Sequence, residues 1–122
     1  MHTTDAPTSP LWSQAVRAGT TVYVSGMVGV EASTGELAGS TIQEQTRQAV
    51  RNCAAILQAA GSSLADVVFV TVLLSKPEDF AGMNEAYSEA FGPEPPARAV
   101  TRLGPDLPGI LVSVTMTADT AG

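Results

Sequence analysis

The 122-residue chain has a single cysteine, Cys53, and a single histidine, His2. One thiol excludes an intrachain disulfide, and one His with one Cys cannot assemble a standard zinc site. Basic residues are equally scarce: six Lys and Arg stand against twelve Asp and Glu, a net charge of −6. A phosphate backbone requires a basic face, and no Lys or Arg run supplies one, so nucleic acid is not an expected partner. No apolar run approaches the roughly 18 residues that span a bilayer, and no basic-then-apolar leader opens the sequence. The expectation is a cytoplasmic protein with no membrane partner. Also missing are the Gly-rich dinucleotide fingerprint, the P-loop and the Gly-x-Ser-x-Gly elbow. Any chemistry is therefore expected to work without a bound metal or a nucleotide-binding motif.

What is present describes one globular unit, 44% hydrophobic and 15% charged. Residues 1–10, rich in Thr, Ser and Pro, read as a flexible N-terminal arm, and residues 11–120 as a single domain. The alternating, β-branched stretch 21–26 predicts a strand, and Ser33-Thr34-Gly35-Glu36 predicts a turn. Ile42, Thr46, Ala49, Val50, Cys53, Ile56, Leu57 and Ala60 recur at helical steps. Ser40-x-x-Gln43 or Thr41-x-x-Glu44 supplies the capping box of that helix, and Gly61 is placed to end it. Cys53 falls on the apolar stripe, without a nearby His to activate it, and reads as core.

Residues 66–75 are almost continuously apolar, as expected of a central strand covered on both faces. Pro77 is placed to open a second helix carrying Phe80, Met83, Asn84, Tyr87 and Phe91. Strands are expected at 98–103 and 110–118. In the last, Ile110, Val112, Val114, Met116 and Ala118 alternate with Leu111, Ser113, Thr115 and Thr117, giving one dry face and one mostly hydroxylic face. The element order predicts an α+β domain with two helices packed on one face of a mixed sheet. The uncovered, partly apolar face predicts association of copies.

The segment Pro93-Glu94-Pro95-Pro96-Ala97-Arg98 delivers one arginine, after a proline-stiffened loop, to the start of a strand. A guanidinium offers paired, permanently charged donors that match a carboxylate. On the residues alone, Arg98 serves either as an anion anchor or as a structural ion pair.

Several segments occur in a characteristic order: Trp12-Ser13-Gln14-Ala15, Ala18-Gly19, Val24-Ser25-Gly26, Thr34-Gly35-Glu36, Ala59-Ala60-Gly61, Asp79-Phe80, Met83-Asn84-x-x-Tyr87, Phe91 and Pro96-Ala97-Arg98. Over residues 8–118 the chain resembles the RidA/YjgF family of reactive intermediate deaminases. The resemblance implies a chorismate-mutase-like fold, a homotrimer with clefts between subunits, and no cofactor. It implies hydrolysis of an imine or enamine, such as 2-aminoacrylate or 2-iminobutanoate, to a 2-oxo acid and ammonia. Arg98 would then grip the substrate carboxylate, with Ser25 and Gly26 near the imine and Asn84 in the cleft.

The chain also departs from that pattern. Trp12 stands where the deaminases have a tyrosine, keeping a ring but losing the phenol; it either favours a bulkier ligand or packs over the cleft edge. A water-activating glutamate on the last strand is replaced by Thr115 or, with a one-residue shift, by Met116. A threonine positions water but is a very poor base, and general acid–base participation is worth roughly 10²–10⁴ in rate. Glu31 and Glu94 are the candidate substitutes. Val100 replaces a cleft cysteine and Met27 a glutamine, each making the pocket drier. These changes favour a larger, more apolar carboxylate substrate. The alternatives are a pathway-specific tautomerase, isomerase or hydrolase of an unstable intermediate, and a non-catalytic trimer that binds small carboxylates.

Overall fold

The structure is a computed structural model and describes residues 2–121. Five strands, β1 (Ala15–Ala18), β2 (Thr21–Val28), β3 (Val67–Leu74), β4 (Ala97–Arg102) and β5 (Val112–Asp119), form one sheet in the order β1-β2-β5-β3-β4. All neighbours are antiparallel except β3 and β4, which run parallel. The parallel pair requires a crossover, and the helix α2 (Phe80–Ser88) provides it. The longer helix α1 (Ile42–Ala59) connects β2 to β3.

Helix α1 forms where its stripe and caps agree. Of the two candidate capping boxes, Thr41 and Glu44 make the real one: the Glu44 N–H donates to Thr41 Oγ1, and the Thr41 N–H donates to Glu44 Oε1, both at 3.2 Å. The Thr41 hydroxyl, which donates to Glu44 Oε1 at 2.9 Å, and then the Thr41 N–H hold the Glu44 carboxyl below its usual range. Beyond the helix, Gly61 takes φ +79°, a conformation that suits a residue with no Cβ. The stripe of Ala49, Cys53, Ile56 and Leu57 is buried against Val22, Val24, Val70, Val72, Val114 and Met116 of the sheet.

Buried polar side chains fasten the connections. Gln45 donates from Nε2 to the Gly39 and Gly109 carbonyls and accepts from the Leu111 N–H, pinning the β4–β5 loop to α1. Gln14 donates to the Thr3, Ala6 and Pro7 carbonyls, laying the segment expected to be an arm against the domain. Arg47 forms a two-pronged pair with Glu89, both bonds 2.9 Å, which joins α1 to the end of α2.

Three expectations change. Strand β1 was not predicted: Ala and Arg are weak strand formers, and pairing with β2 across a Gly19-Thr20 turn makes it. Gly19, at φ +62°, occupies the first central position of that turn. The second helix is shorter than 77–91, because Pro77–Asp79 form a 3₁₀ turn and the helix stops at Ser88, before Phe91. Strand β3 is covered on one face within a single chain. Val70, Val72 and Leu74 are buried beneath the helices, whereas Phe69 on the other face is 41% exposed. Val16 and Tyr23 are likewise exposed.

Candidate active site

The sheet divides the predicted site residues into two groups. The first forms at a β-bulge. Between the pairs Val24↔Met116 and Met27↔Val114, strand β2 has two residues, Ser25 and Gly26, and β5 has one, Thr115. The extra residue lets Val24 and Met27, three positions apart, both point into the core. It also places Ser25 and Gly26 opposite Thr115, which the one-residue pairing Thr115↔Thr71 sets on the uncovered face.

The hydrogen bonds of these hydroxyls define what they can do. Thr115 Oγ1 donates to the Val24 carbonyl, and Ser25 Oγ donates to the Ser13 carbonyl, each at 2.5 Å. With both protons committed, each oxygen retains lone pairs that accept from a water or an iminium N–H. Trp12 precedes Ser13 in the chain, forms an isolated bridge with Ser9 and is 39% exposed.

The second group lies at the other edge of the sheet, on the helix-covered face. Arg98 pairs with Val70 in register, so its side chain rises towards α2. There Arg98 Nη1 donates to Asn84 Oδ1 at 2.7 Å. The guanidinium carbon lies 4.9 Å from the centre of the Tyr87 ring and 5.9 Å from that of Phe80. Cation–π attraction and one hydrogen bond hold the fork while its other donors stay open. Tyr87 in turn leans on Phe91, with ring centres 5.0 Å apart. Burial raises the Tyr87 phenol above its ordinary pKa, against the opposing influence of Arg98.

Arg98 borders a cavity of about 450 Å³ lined also by Asn84, Tyr87, Phe91, Pro95 and Pro96. The proline loop thus forms a wall of this cavity. Val100, two residues along β4, lines a second cavity. Phe80 and Tyr87 as flanks of Arg98 escaped the sequence reading, since helical spacing assigns them to a helix face without saying which strand residue they meet. Glu94 lines a neighbouring hollow that shares Phe91, Gly92 and Pro96 with the Arg98 cavity. Glu31 lies elsewhere, with Asp5 and Gln48.

The two groups do not meet within one chain. Thr115 on β5 and Arg98 on β4 stand two strands apart, about 10 Å, on opposite faces. Among the described residues no cluster of three His, Cys, Asp or Glu is arranged to hold a metal, and no helix is long and apolar enough to cross a membrane.

Fold and site together define a RidA-type α+β protein. The sequence profile of the family described as Endoribonuclease L-PSP matches residues 3–119, and the chain belongs to this family, the RidA/YjgF family. Over 99 residues it is 46% identical to a RutC family protein of Pyrococcus horikoshii, covering 79% of each chain. It is 43% identical over 100 residues to the 2-iminobutanoate/2-iminopropanoate deaminase of Mus musculus, covering 81% of this chain and 74% of that one. Among solved structures, RidA from an Antarctic Psychrobacter species superposes with a TM-score of 0.90 at 36% identity, covering 97% of this chain and 96% of that one. Escherichia coli TdcF with bound serine gives 0.85 at 30% identity, with 97% and 95% covered.

Proposed function

We propose that this protein is an imine/enamine hydrolase that converts a 2-imino acid to a 2-oxo acid and ammonia, with a preference for substrates larger and more apolar than 2-iminobutanoate. The observation that carries the reading is the braced guanidinium of Arg98 at the mouth of its cavity. Similarity to 2-iminobutanoate/2-iminopropanoate deaminases supplies the reaction class. The bound serine of the TdcF structure is an amino acid with the same carboxylate handle.

The chemistry follows from the two groups. The substrate carboxylate pairs with Arg98, which converts the meeting of imine and water into a positioned event. The electron-poor carbon of R–C(=NH₂⁺)–COO⁻ is attacked by water. A C–O bond forms, the C–N bond breaks, and the products are R–CO–COO⁻ and NH₄⁺. Ser25 and Thr115, with their protons given to backbone carbonyls, accept from the water or the iminium nitrogen and orient them. Neither is a base, so the iminium itself supplies the activation, and the released amine carries off the proton.

Because Arg98 and the Ser25–Thr115 group face opposite sides of the sheet, the complete site requires a second copy of the chain. The exposed Val16, Tyr23 and Phe69 supply an apolar face for it. A homotrimer with sites between subunits is the assembly we infer.

The test is release of ammonia and 2-oxo acid from freshly generated 2-aminoacrylate, from 2-iminobutanoate and from the imines of leucine and phenylalanine. Catalysis above buffer that rises with side-chain size is the expected result. Rates equal to buffer for all of them would refute hydrolysis. They would leave the second reading, a non-catalytic carboxylate-binding trimer, which is favoured by one observation: Thr115, with no carboxylate, stands opposite the bulge.

A further inference from the structure

Strand β4 presents Arg98, Val100 and Arg102 on one face. Their register partners Val70, Val72 and Leu74 are all buried beneath the helices, which fixes the face. Two of the six basic residues of an acidic protein therefore project from the same side of one edge strand.

Between them lies the second cavity, about 300 Å³, walled by Leu74, Pro77, Phe80 and Val100 and bordered by Arg102. Phe80 belongs to that wall and also lies 5.9 Å from the Arg98 guanidinium carbon, so the anchor adjoins the cavity. Arg102 is exposed, and the one ion pair among the described residues is Arg47–Glu89, which leaves Arg102 without a carboxylate partner. Arg98, by contrast, is braced by Asn84. The sequence of features along β4 is cation, apolar cavity, cation.

We propose that the site accepts a dicarboxylate: the reacting 2-imino carboxylate on Arg98, a hydrocarbon spacer across Val100 and Phe80, and a distal carboxylate on Arg102. This rests on the assignment of Arg98 as carboxylate anchor and keeps the larger, apolar body proposed above as the spacer, adding to it a charged end that reaches Arg102. Four residues of extended strand separate the two Cα atoms by about 13 Å, a gap that shortens as the side chains lean together. A monocarboxylate fills only the Arg98 end, and a short diacid fails to reach Arg102. Arg102 gives specificity and takes no part in the reaction.

Suberate and octanoate test this cleanly, because they have the same length and differ only in the second carboxylate. Calorimetric titration of the full chain is expected to give tighter binding for suberate. Arg102→Gln should weaken suberate by roughly threefold to tenfold, the scale of one exposed charge pair, and leave octanoate and 2-oxobutanoate within about twofold. Arg98→Ala should weaken all three. An unchanged suberate-to-octanoate ratio in Arg102→Gln overturns the dicarboxylate assignment. If 2-oxobutanoate still depends on Arg98 in that case, the anchor itself stands. Indifference of every ligand to Arg98→Ala removes the anchor, and the dicarboxylate assignment with it. Arg102 is exposed, so the variant is expected to melt with the parent, which separates lost affinity from lost fold.

Discussion

Replacing Arg98 tests how the anchor is built, because three distinct contributions can be removed in turn. The side chain has five N–H donors. One is spent on Asn84 Oδ1, leaving the remainder of the fork for a ligand, while the ring of Tyr87 supports its flat face. A carboxylate received by two charge-assisted bonds at this open site gains about 2–3 kcal/mol. Arg98→Ala should therefore weaken 2-oxobutanoate by roughly 30- to 150-fold. Arg98→Lys keeps the charge but loses the planar fork and its stacking, and should fall between, about tenfold weaker. Asn84→Ala leaves the charge and frees the guanidinium to swing; a loss of about threefold to tenfold is expected. Isothermal calorimetry on each variant gives the series directly, and melting curves should stay close to the parent because the arginine is exposed. A lysine variant that binds as tightly as the parent would refute the argument from fork geometry. An alanine variant within twofold of the parent would refute the anchor altogether.

Two further outcomes concern stability. A Cβ at Gly29 would lie 2.6 Å from the Gln45 carbonyl oxygen and 2.7 Å from Gln45 Cα, helix backbone that has no rotamer to escape into. Gly29→Ala should cost about 2–3 kcal/mol and lower Tm by roughly 6–15 °C, and a urea midpoint equal to the parent's would contradict that packing. Burial pushes the Cys53 thiol up from 9.0 to about 12. Below pH 9 both states hold the proton and stability is unaffected; between pH 9 and 12 only the unfolded chain releases it, so stability falls as pH rises. The loss is on the order of 1 kcal/mol at pH 10. Cys53→Ala, compared at pH 8 and pH 10 by denaturant titration, should be less sensitive to alkali than the parent, and an equal pH dependence would remove Cys53 from the account.

The sequence carried the helix α1 down to its caps because every signal there is local: stripe, Thr41, Glu44 and Gly61 all act within a few residues. The alternation of β5 likewise predicted which side of the sheet is dry, with Val112, Val114 and Met116 inside and Thr115 and Thr117 outside. Strand β1 escaped because its four residues become a strand only through pairing with β2. For the site, Arg98 stood out through its proline approach and its rarity as a cation. Its supports on α2 did not, since the crossover that brings Asn84 and Tyr87 above β4 is a tertiary event. The bulge was invisible for a related reason: the resemblance named Ser25 and Gly26, but that they share one opposing residue shows only when β5 is laid alongside.

The bulge at Ser25-Gly26 alters the uncovered face while the packing of the other face runs on unbroken through Val24 and Met27. Removing one residue at Ser25-Gly26 would repair the ladder and leave Val24 and Met27 two positions apart, both still in the core, with only the doubled backbone opposite Thr115 lost. The packing beneath does not require the extra residue, whose effect is confined to the uncovered face. Thr115 and the doubled backbone opposite it can therefore both change without disturbing the core on the other side of the sheet.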